Sequence, residues 1–280
     1  MKKTPLASRF LKQLICVNDQ ICFSALQQWD FANRLAPMVN AIPKEFSTAA
    51  FPNNPYAASI FRSVSDLATF AGEAELVALQ MGVVASVEHL LAYMSDVQHL
   101  RESLVTTSGD PIFDDAEEEQ LRLKVCRWKG SDPASGYFKT LGYFRHLRNH
   151  FAHVNAKPTS AFATYIRSHG TPLNKFWNNG RTDLHGVDFR SLAGIQLTPD
   201  LALGVMNLLR VCLRHVDDIV ADTLSLEDAV HWIVRDIRSA PRNNGIDAGQ
   251  LESKVTARLE MEWGVKADVL AIHKAVEAML

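Results

Sequence analysis

The stretch from Arg62 to about Leu104 constrains the fold more than any other part of the chain, because its apolar residues recur at steps of three or four residues or their sum. The recurring residues are Leu67, Ala74, Val77, Met81, Val84, Val87, Leu91 and Met94. This is the period of an amphipathic α-helix, whereas the side chains of a strand alternate every two residues. The pattern therefore predicts one long helix whose apolar stripe other elements must cover.

Capping residues and helix breakers place further helices on both sides of the long one. The acidic run from Asp114 to Glu119 complements the positive end of a helix reaching about Trp128, and we interpret these acids as a solvated helix start. Thr198 and Pro199 are a favourable helix start, because the hydroxyl caps free amides and proline needs no amide partner there. The predicted helices are 6–35, 62–104, 114–128, 137–155 and 199–224.

Helices two to five of this series predict an all-α protein whose core is an antiparallel four-helix bundle. The predicted divisions are an N-terminal helical arm and loop at 1–60, the bundle at 61–224 and a C-terminal helical extension at 225–280. We expect Pro37, Pro43, Pro52 and Pro55 to interrupt the first helix. The region from Lys157 to Pro199 is rich in Gly and Pro, which favours an irregular insertion with a short hairpin at 186–197. The extension reads as two or three helices broken near 241–249.

Composition bounds the class of protein. Apolar residues make up 47% and charged residues 21% of the 280, which is typical of a globular chain. A net charge of −2, from 29 basic and 31 acidic residues, argues against a protein that is basic throughout, so any nucleic-acid site must be local. The four cysteines lack the spacing of a zinc, redox or disulfide framework and are expected to be reduced and buried. No signal peptide or spanning segment is indicated, so we expect a cytoplasmic protein without a membrane partner.

The predicted helix at 137–155 carries an arginine in an unexpected place. On a helical wheel, Arg148 falls in the middle of an arc that otherwise holds Tyr137, Leu141, Phe144, Phe151 and Ala152. Removing an unpaired guanidinium from water costs at least several kcal/mol. Arg148 is therefore expected to be paired, to reach the helix edge with its stem buried, or to face a cleft.

Other polar residues are predicted to converge on the same boundary. Arg145, Asn149 and His153 stand four residues apart on the adjoining ridge of the helix. On the long helix, Glu88 lies within the apolar stripe and is the acid best placed to neutralise or orient Arg148. A helix-edge glutamate unrelated to the motif is the alternative for Glu88.

Basic residues are concentrated around this helix. Residues 122–157 contain eight basic side chains, against Asp132 as the one acid, in a chain whose net charge is −2. Such a patch is expected beside a site for a polyanion, because phosphates supply most of the sequence-independent attraction. The basic residues are Arg122, Lys124, Arg127, Lys129, Lys139, Arg145, Arg148 and Lys157. We assign substrate binding to Arg127, Lys129, Lys139 and Lys157.

Arg148, followed directly by Asn149 and then by His153, resembles the Arg-Asn-x-x-x-His signature of the HEPN superfamily. Its active members are mostly metal-independent ribonucleases, often toxins of toxin-antitoxin pairs or antiviral effectors. The resemblance covers roughly residues 62–224 as a helical bundle, although only residues 148–153 are specific. It implies a homodimer, an RNA substrate, a possible antitoxin or regulatory partner and no cofactor.

Carried over to this chain, the resemblance assigns catalysis to Arg148 and His153, with Asn149 orienting the phosphate or the histidine. An imidazole with a pKa of about 6.5 transfers protons near neutral pH, and a guanidinium stabilises a phosphorane. The nucleophile would be the substrate's own 2′-hydroxyl. Members that transfer nucleotides carry a tyrosine two residues after the histidine, and that position is Asn155 here.

Two alternatives remain open at this point. His146, His150 and His153 lie on one side of the helical wheel and suggest a metal-dependent enzyme. A module that binds RNA or protein without cleaving it, with Arg148 and His153 merely structural, is the second. The C-terminal tail could support dimerisation or antitoxin binding, and ordinary core packing explains its apolar residues equally well. These residues are Trp232, Trp263, Val269, Ile272, Val276 and Leu280.

Overall fold

A computed structural model of the chain describes residues 1–105, 116–152, 158–179, 184, 186–191, 197–243, 245–266 and 268–277. Over these residues the protein is all-α, as predicted, and contains no strand. The helices are α1 (Pro5–Ala41), α2 (Ser47–Ala50), α3 (Ala57–Ile60), α4 (Val64–Leu104), α5 (Glu117–Lys129), α6 (Ser135–Ala152), α7 (Ser160–Asn178), α8 (Pro199–Ala221), α9 (Leu226–Ser239), α10 (Ala248–Trp263) and α11 (Val269–Glu277).

The chain forms two compact units, each assembled from separate segments. The first unit comprises Met1–Leu14, Val87–His146 and Leu208–Leu280, and the second comprises Ile15–Ser86 and Leu147–Asn207. The boundaries fall inside α1, α4, α6 and α8, so these four helices contribute to both units. The division at residues 60 and 224 stays a prediction.

The core of the first unit includes a cluster built by the three C-terminal helices. Val230, Ile233, Val255, Trp263 and Ile272 are all buried in this cluster. Helix α9 begins with a capping box, in which the Ser225 hydroxyl accepts from the Asp228 amide and the Asp228 carboxylate accepts from the Ser225 amide. The prediction of two or three helices after Ser225 is therefore confirmed.

A buried carboxylate links the N-terminal segment to α8 in the first unit. Asp217 is 1% exposed and accepts hydrogen bonds from the Thr4 amide at 2.8 Å, the Thr4 hydroxyl and the Tyr93 hydroxyl at 2.8 Å. Burial raises the pKa of Asp217 above its ordinary value, against the opposing effect of these donors. Three donors around one acceptor group satisfy it internally.

The first helix is longer than the sequence predicts. Pro37 lies inside α1 instead of ending it. Pro37 removes the amide that would bond to the carbonyl of Asn33, but both residues are exposed, so water can satisfy that carbonyl. The three later prolines do lie outside α1. The predictions for α4 and α8 are confirmed, and the Thr198 hydroxyl accepts from the Leu201 amide at 3.2 Å.

The predicted irregular insertion is wrong in its first half, because residues 160–178 form the 19-residue helix α7. Its buried residues, Phe162, Ile166, Gly170, Leu173 and Trp177, form one stripe, whereas Pro172 lies on the exposed side. This stripe favours the helix despite the proline. In the region of the predicted hairpin, residues 186–191 contain turns and no strand, and residues 192–196 are outside the described residues.

The expectation that the cysteine thiols are buried is wrong for two of the four. Cys212 is buried and Cys126 is half-buried, but Cys16 and Cys22 are exposed on α1. All four thiols are free. The exposed pair lies in the second-unit part of α1, where the outward side of the helix is itself apolar.

Candidate functional site

The motif lies at the end of α6, which runs from Ser135 to Ala152. The helix forms because Phe138, Leu141, Phe144 and Leu147 recur at three-residue steps and are all buried. The helix predicted at 137–155 is thus confirmed as far as Ala152. Two of the predicted site residues, His153 and Lys157, are outside the described residues.

Arg148 and Asn149 are adjacent in the chain and are joined through their side chains. The Arg148 Nη1 donates to the Asn149 Oδ1 at 2.7 Å, and both residues are half-buried. The Nε atom of Arg148 is closed off from solvent. A guanidinium held in this way is partly desolvated, which strengthens its interaction with an anion. The structure therefore brings together two of the three residues that the motif singles out.

His150 lies one residue beyond this pair and packs against aromatic rings of the second unit. Its ring is 5.8 Å from Phe151 and 6.3 Å from Phe162 of α7, measured between centroids. These contacts give His150 a packing role in the wall formed by α6 and α7. Phe162 is fully buried, and its amide donates to the Thr159 hydroxyl that caps α7.

Arg145 belongs to the first unit and is engaged by a glutamate of α5. Its Nε lies 3.0 and 3.1 Å from the two Glu118 oxygens, and the side chains are 21% and 7% exposed. Burial raises the pKa of Glu118, and the nearby Arg145 opposes that shift. The pair anchors α6 to α5 within the first unit, and a supporting role of Arg145 in the site stays a prediction.

Glu118 shows where the interpretation of the acidic run was wrong. A solvated helix start does not describe Glu118, which is buried and faces Arg145. The spacing of Glu118 from Leu121 and Val125 indicates its burial. These two apolar residues follow it by three and seven positions, which places all three on one side of the helix, and all three are buried.

Glu88 lies on α4 in the first unit and is exposed. The prediction that Glu88 lies within the apolar stripe is therefore wrong. The buried side of α4 near Glu88 is formed by Val83, Val87 and Leu90. The proposed pairing of Glu88 with Arg148 stays a prediction.

Several members of the basic patch are neutralised by acids. Arg122 pairs with Glu119 and with Asp132 at 2.8 Å, Lys124 pairs with Glu102, and Lys129 lies 3.1 Å from Asp222. The excess counted along residues 122–157 therefore overstates the local positive field, because some of the partners lie outside that stretch. Of the other predicted substrate-binding residues, Arg127 is exposed and Lys139 is half-buried.

The alternative metal site would use His146 and His150, which the structure describes, together with His153, which lies outside the described residues. Among the described residues, no group of three His, Cys, Asp or Glu side chains is arranged to hold a metal ion. His153 is not among them, so the proposed histidine cluster stays open. Burial and the nearby Arg145 lower the pKa of His146, which keeps this imidazole neutral near pH 7.

Comparison with known proteins gives no relative of this chain: no family model matches it, and neither do the curated proteins or the solved structures. One described helix, α4, is long and apolar enough to cross a membrane by length and composition, and 33% of its most apolar window is buried inside the protein. A core helix passes the same test, so this property alone does not indicate a membrane protein.

Proposed function

We propose that the protein is a metal-independent endoribonuclease of the HEPN type that cleaves single-stranded RNA. The observation that carries the proposal is the half-buried Arg148, whose guanidinium is held by Asn149 within a motif that continues to His153. A partly desolvated guanidinium that is fixed before the substrate arrives is suited to charge that develops in a transition state.

The proposed reaction is transesterification at one phosphodiester. His153 accepts the proton of the substrate's 2′-hydroxyl while the 2′-oxygen attacks phosphorus, and Arg148 stabilises the negative charge of the phosphorane. The bond from phosphorus to the 5′-oxygen then breaks, and that oxygen receives a proton. The products are a 2′,3′-cyclic phosphate and a free 5′-hydroxyl, so DNA would not be cleaved.

Asn149 is a positioning residue in this scheme, because its Oδ1 holds Arg148 Nη1. Phosphates on either side of the scissile bond would contact Arg127, Lys139 and Lys157. Lys129 would join them if its ammonium group left Asp222 to bind an RNA phosphate. In the HEPN resemblance, arginine and histidine come from two protomers of a dimer. A cytoplasmic toxin or antiviral effector held by an antitoxin or regulatory protein is the corresponding biological role.

Cleavage of a mixed RNA by purified protein in excess chelator tests the proposal. We expect the wild-type protein and His150→Ala to cleave, and His153→Ala to be inactive while folded. Activity that chelator abolishes, together with loss in His150→Ala, would instead indicate the histidine metal site. RNA binding of equal strength by the wild type and His153→Ala, with cleavage by neither, would identify a binding module.

A further inference from the structure

The part of α1 that lies in the second unit is apolar on two opposite sides. One side carries Val17, Ile21 and Leu35, which are 2–5% exposed. The other carries Ile15 and Trp29, which are 47% and 69% exposed. An apolar side of a helix is normally buried, and the outward side of α1 has no cover among the residues that the structure describes.

The helix that α1 packs against is α4, and the two run antiparallel in the second unit. A Cβ placed on Gly82 would lie 3.0 Å from Ile21, whereas Leu35 clusters with Val64 and Leu67 at the opposite end. Between these contacts, none of residues 22–34 of α1 and none of residues 68–78 of α4 is buried. An open groove of about 440 Å³ runs between the helices there.

Exposed apolar side chains are concentrated on this helix pair and on the connection between its helices. Of the fourteen exposed large hydrophobic residues in the described part of the chain, eleven lie between Ile15 and Met81. On the helices themselves they are Ile15, Phe23, Leu26, Trp29, Val77 and Met81. Exposed apolar side chains concentrated in this way are typical of an interaction site rather than of ordinary surface.

The spacing of the outward residues of α1 fits a two-fold axis. Ile15, Cys22 and Trp29 are separated by seven residues each and lie on one side of the helix. If two copies of α1 pack antiparallel about an axis at Cys22, Ile15 of one copy lies beside Trp29 of the other, and the reverse contact forms as well. The small Cys22 then occupies the axis, where the two helices approach most closely.

We propose that this surface is a homodimer interface, in which α1 and α4 of one copy pack against the same helices of a second copy to complete a four-helix bundle. An isologous contact requires a self-complementary patch, and the series from Ile15 to Trp29 is one. A dimer is also what the proposed function expects, whereas the location of the interface is inferred from α1 and α4 alone.

The available area matches a dimer. The six exposed apolar side chains on the two helices present on the order of 600 Å² per copy, and two such surfaces reach the roughly 1,200 Å² at which specific interfaces begin. The bundle would also cover the groove beside Phe31 and Phe70.

Charge argues for a second copy over a membrane surface. Residues 15–41 and 64–86 contain Asp19, Asp30, Asp66, Glu73 and Glu75 against Arg34 as the one base. An acidic surface is repelled by anionic lipid, whereas helices that lie on membranes carry Lys and Arg on their polar side. Two acidic copies also repel each other, so an interface held by apolar contacts should strengthen as salt screens that repulsion.

Sedimentation equilibrium of the full chain tests the proposal. We expect a dimer for the wild type at low and at 1 M salt, a monomer for Trp29→Glu, and a dimer for the control Met261→Glu, whose residue is 68% exposed on α10. Circular dichroism establishes that each variant is folded. A monomeric wild type, or a Trp29→Glu variant that still dimerises, would overturn the interface.

The axis is tested separately with a short bismaleimide, which links two thiols without an oxidant. The dimer should be cross-linked in Cys16→Ser and not in Cys22→Ser. A cross-link that persists without Cys22 contradicts the axis, as does a wild-type dimer whose Cys22 reacts only with monofunctional maleimide. Binding of a monomeric protein to phosphatidylglycerol vesicles would replace the second copy with a lipid surface.

Discussion

The Arg148 Nη1 donates to the Asn149 Oδ1 at 2.7 Å, so the guanidinium of the motif has an acceptor supplied by its immediate neighbour. Both side chains are half-buried at the end of α6, where α7 of the same unit packs through Phe162 against the ring of His150. The side chains of successive residues in a helix project about 100° apart, so this hydrogen bond directs the Arg148 side chain away from the apolar stripe and towards its edge. It gives the Nη1 atom a neutral acceptor at the edge of that stripe, while the Nε atom stays closed off from solvent.

Replacing Asn149 with Ala should lower the single-turnover cleavage rate by about 10- to 150-fold at saturating RNA, because a hydrogen bond to a charged group is worth about 1.5–3 kcal/mol. Asn149→Asp, which keeps an acceptor, should retain more activity than Asn149→Ala. The affinity for RNA should change little, and this is measured by filter binding with a non-cleavable 2′-deoxy substrate. A variant that loses affinity but keeps its saturated rate would contradict the positioning role.

Replacing Arg148 with Lys should reduce the cleavage rate by about 10² to 10³, the effect of removing one preorganised donor from a developing charge. Lysine keeps the charge but cannot offer the planar fork of a guanidinium. The comparison is made by single-turnover kinetics, with thermal unfolding to confirm the fold. Full activity in Arg148→Lys would exclude a specific role for the guanidinium.

Replacing Arg145 with Ala should lower the free energy of unfolding by about 3 kcal/mol, because the Glu118 carboxylate is then buried without its cation. The double variant Arg145→Met with Glu118→Leu should recover most of that loss, since apolar residues can replace a buried ion pair. Urea denaturation of the wild type, the single variant and the double variant measures both effects. If the single variant is as stable as the wild type, the pair does not stabilise the fold.

His146 should give the protein a stability that depends on pH below neutrality. Its pKa in the folded protein lies below the ordinary 6.5, mainly through burial. The folded state therefore favours the neutral ring, and the associated stability is present above pH 6.5 and lost as the pH falls towards the folded-state pKa. His146→Gln should show a smaller loss between pH 7.5 and 5.5 in urea denaturation. An equal loss in both proteins would assign the dependence to other groups.

Gly170→Ala should destabilise the protein by about 1–3 kcal/mol, because its Cβ would lie 2.5 Å from the Phe189 carbonyl oxygen. The matched control is Gly72→Ala in α4, where a Cβ has no neighbour within 4 Å. That substitution should stabilise by about 0.5–1 kcal/mol, since alanine restricts the unfolded chain. Equal effects at both positions would contradict the close approach of residue 189 to α7.

Periodicity and capping were sufficient to predict α4, α6 and α8, because each presents a regular buried stripe or an explicit cap such as Thr198. Periodicity and capping did not predict α7, because Gly170 and Pro172 are typical helix breakers. Gly170 is required by the close approach of Phe189, and Pro172 lies on the exposed side of the helix. Local sequence does not contain that tertiary contact.

The candidate site was predictable only as far as its residue types. Adjacent Arg148 and Asn149 do interact, but the engagement of Arg145 by Glu118 depends on how α5 packs against α6. The count of basic residues failed for the same reason, because Glu102 and Asp222 reach Lys124 and Lys129 from distant parts of the chain. Charge summed along the sequence cannot include partners that the fold supplies.

The chemistry of the new RNA ends formed in excess chelator distinguishes attack by the 2′-hydroxyl from other routes of cleavage. We expect 2′,3′-cyclic phosphate and 5′-hydroxyl ends from the wild type, no fragments from His153→Ala, and no cleavage where the nucleotide at the scissile bond carries 2′-hydrogen. Cleavage of that 2′-deoxy substrate, or 5′-phosphate ends from the wild type, would contradict attack by the 2′-hydroxyl and with it the role assigned to His153.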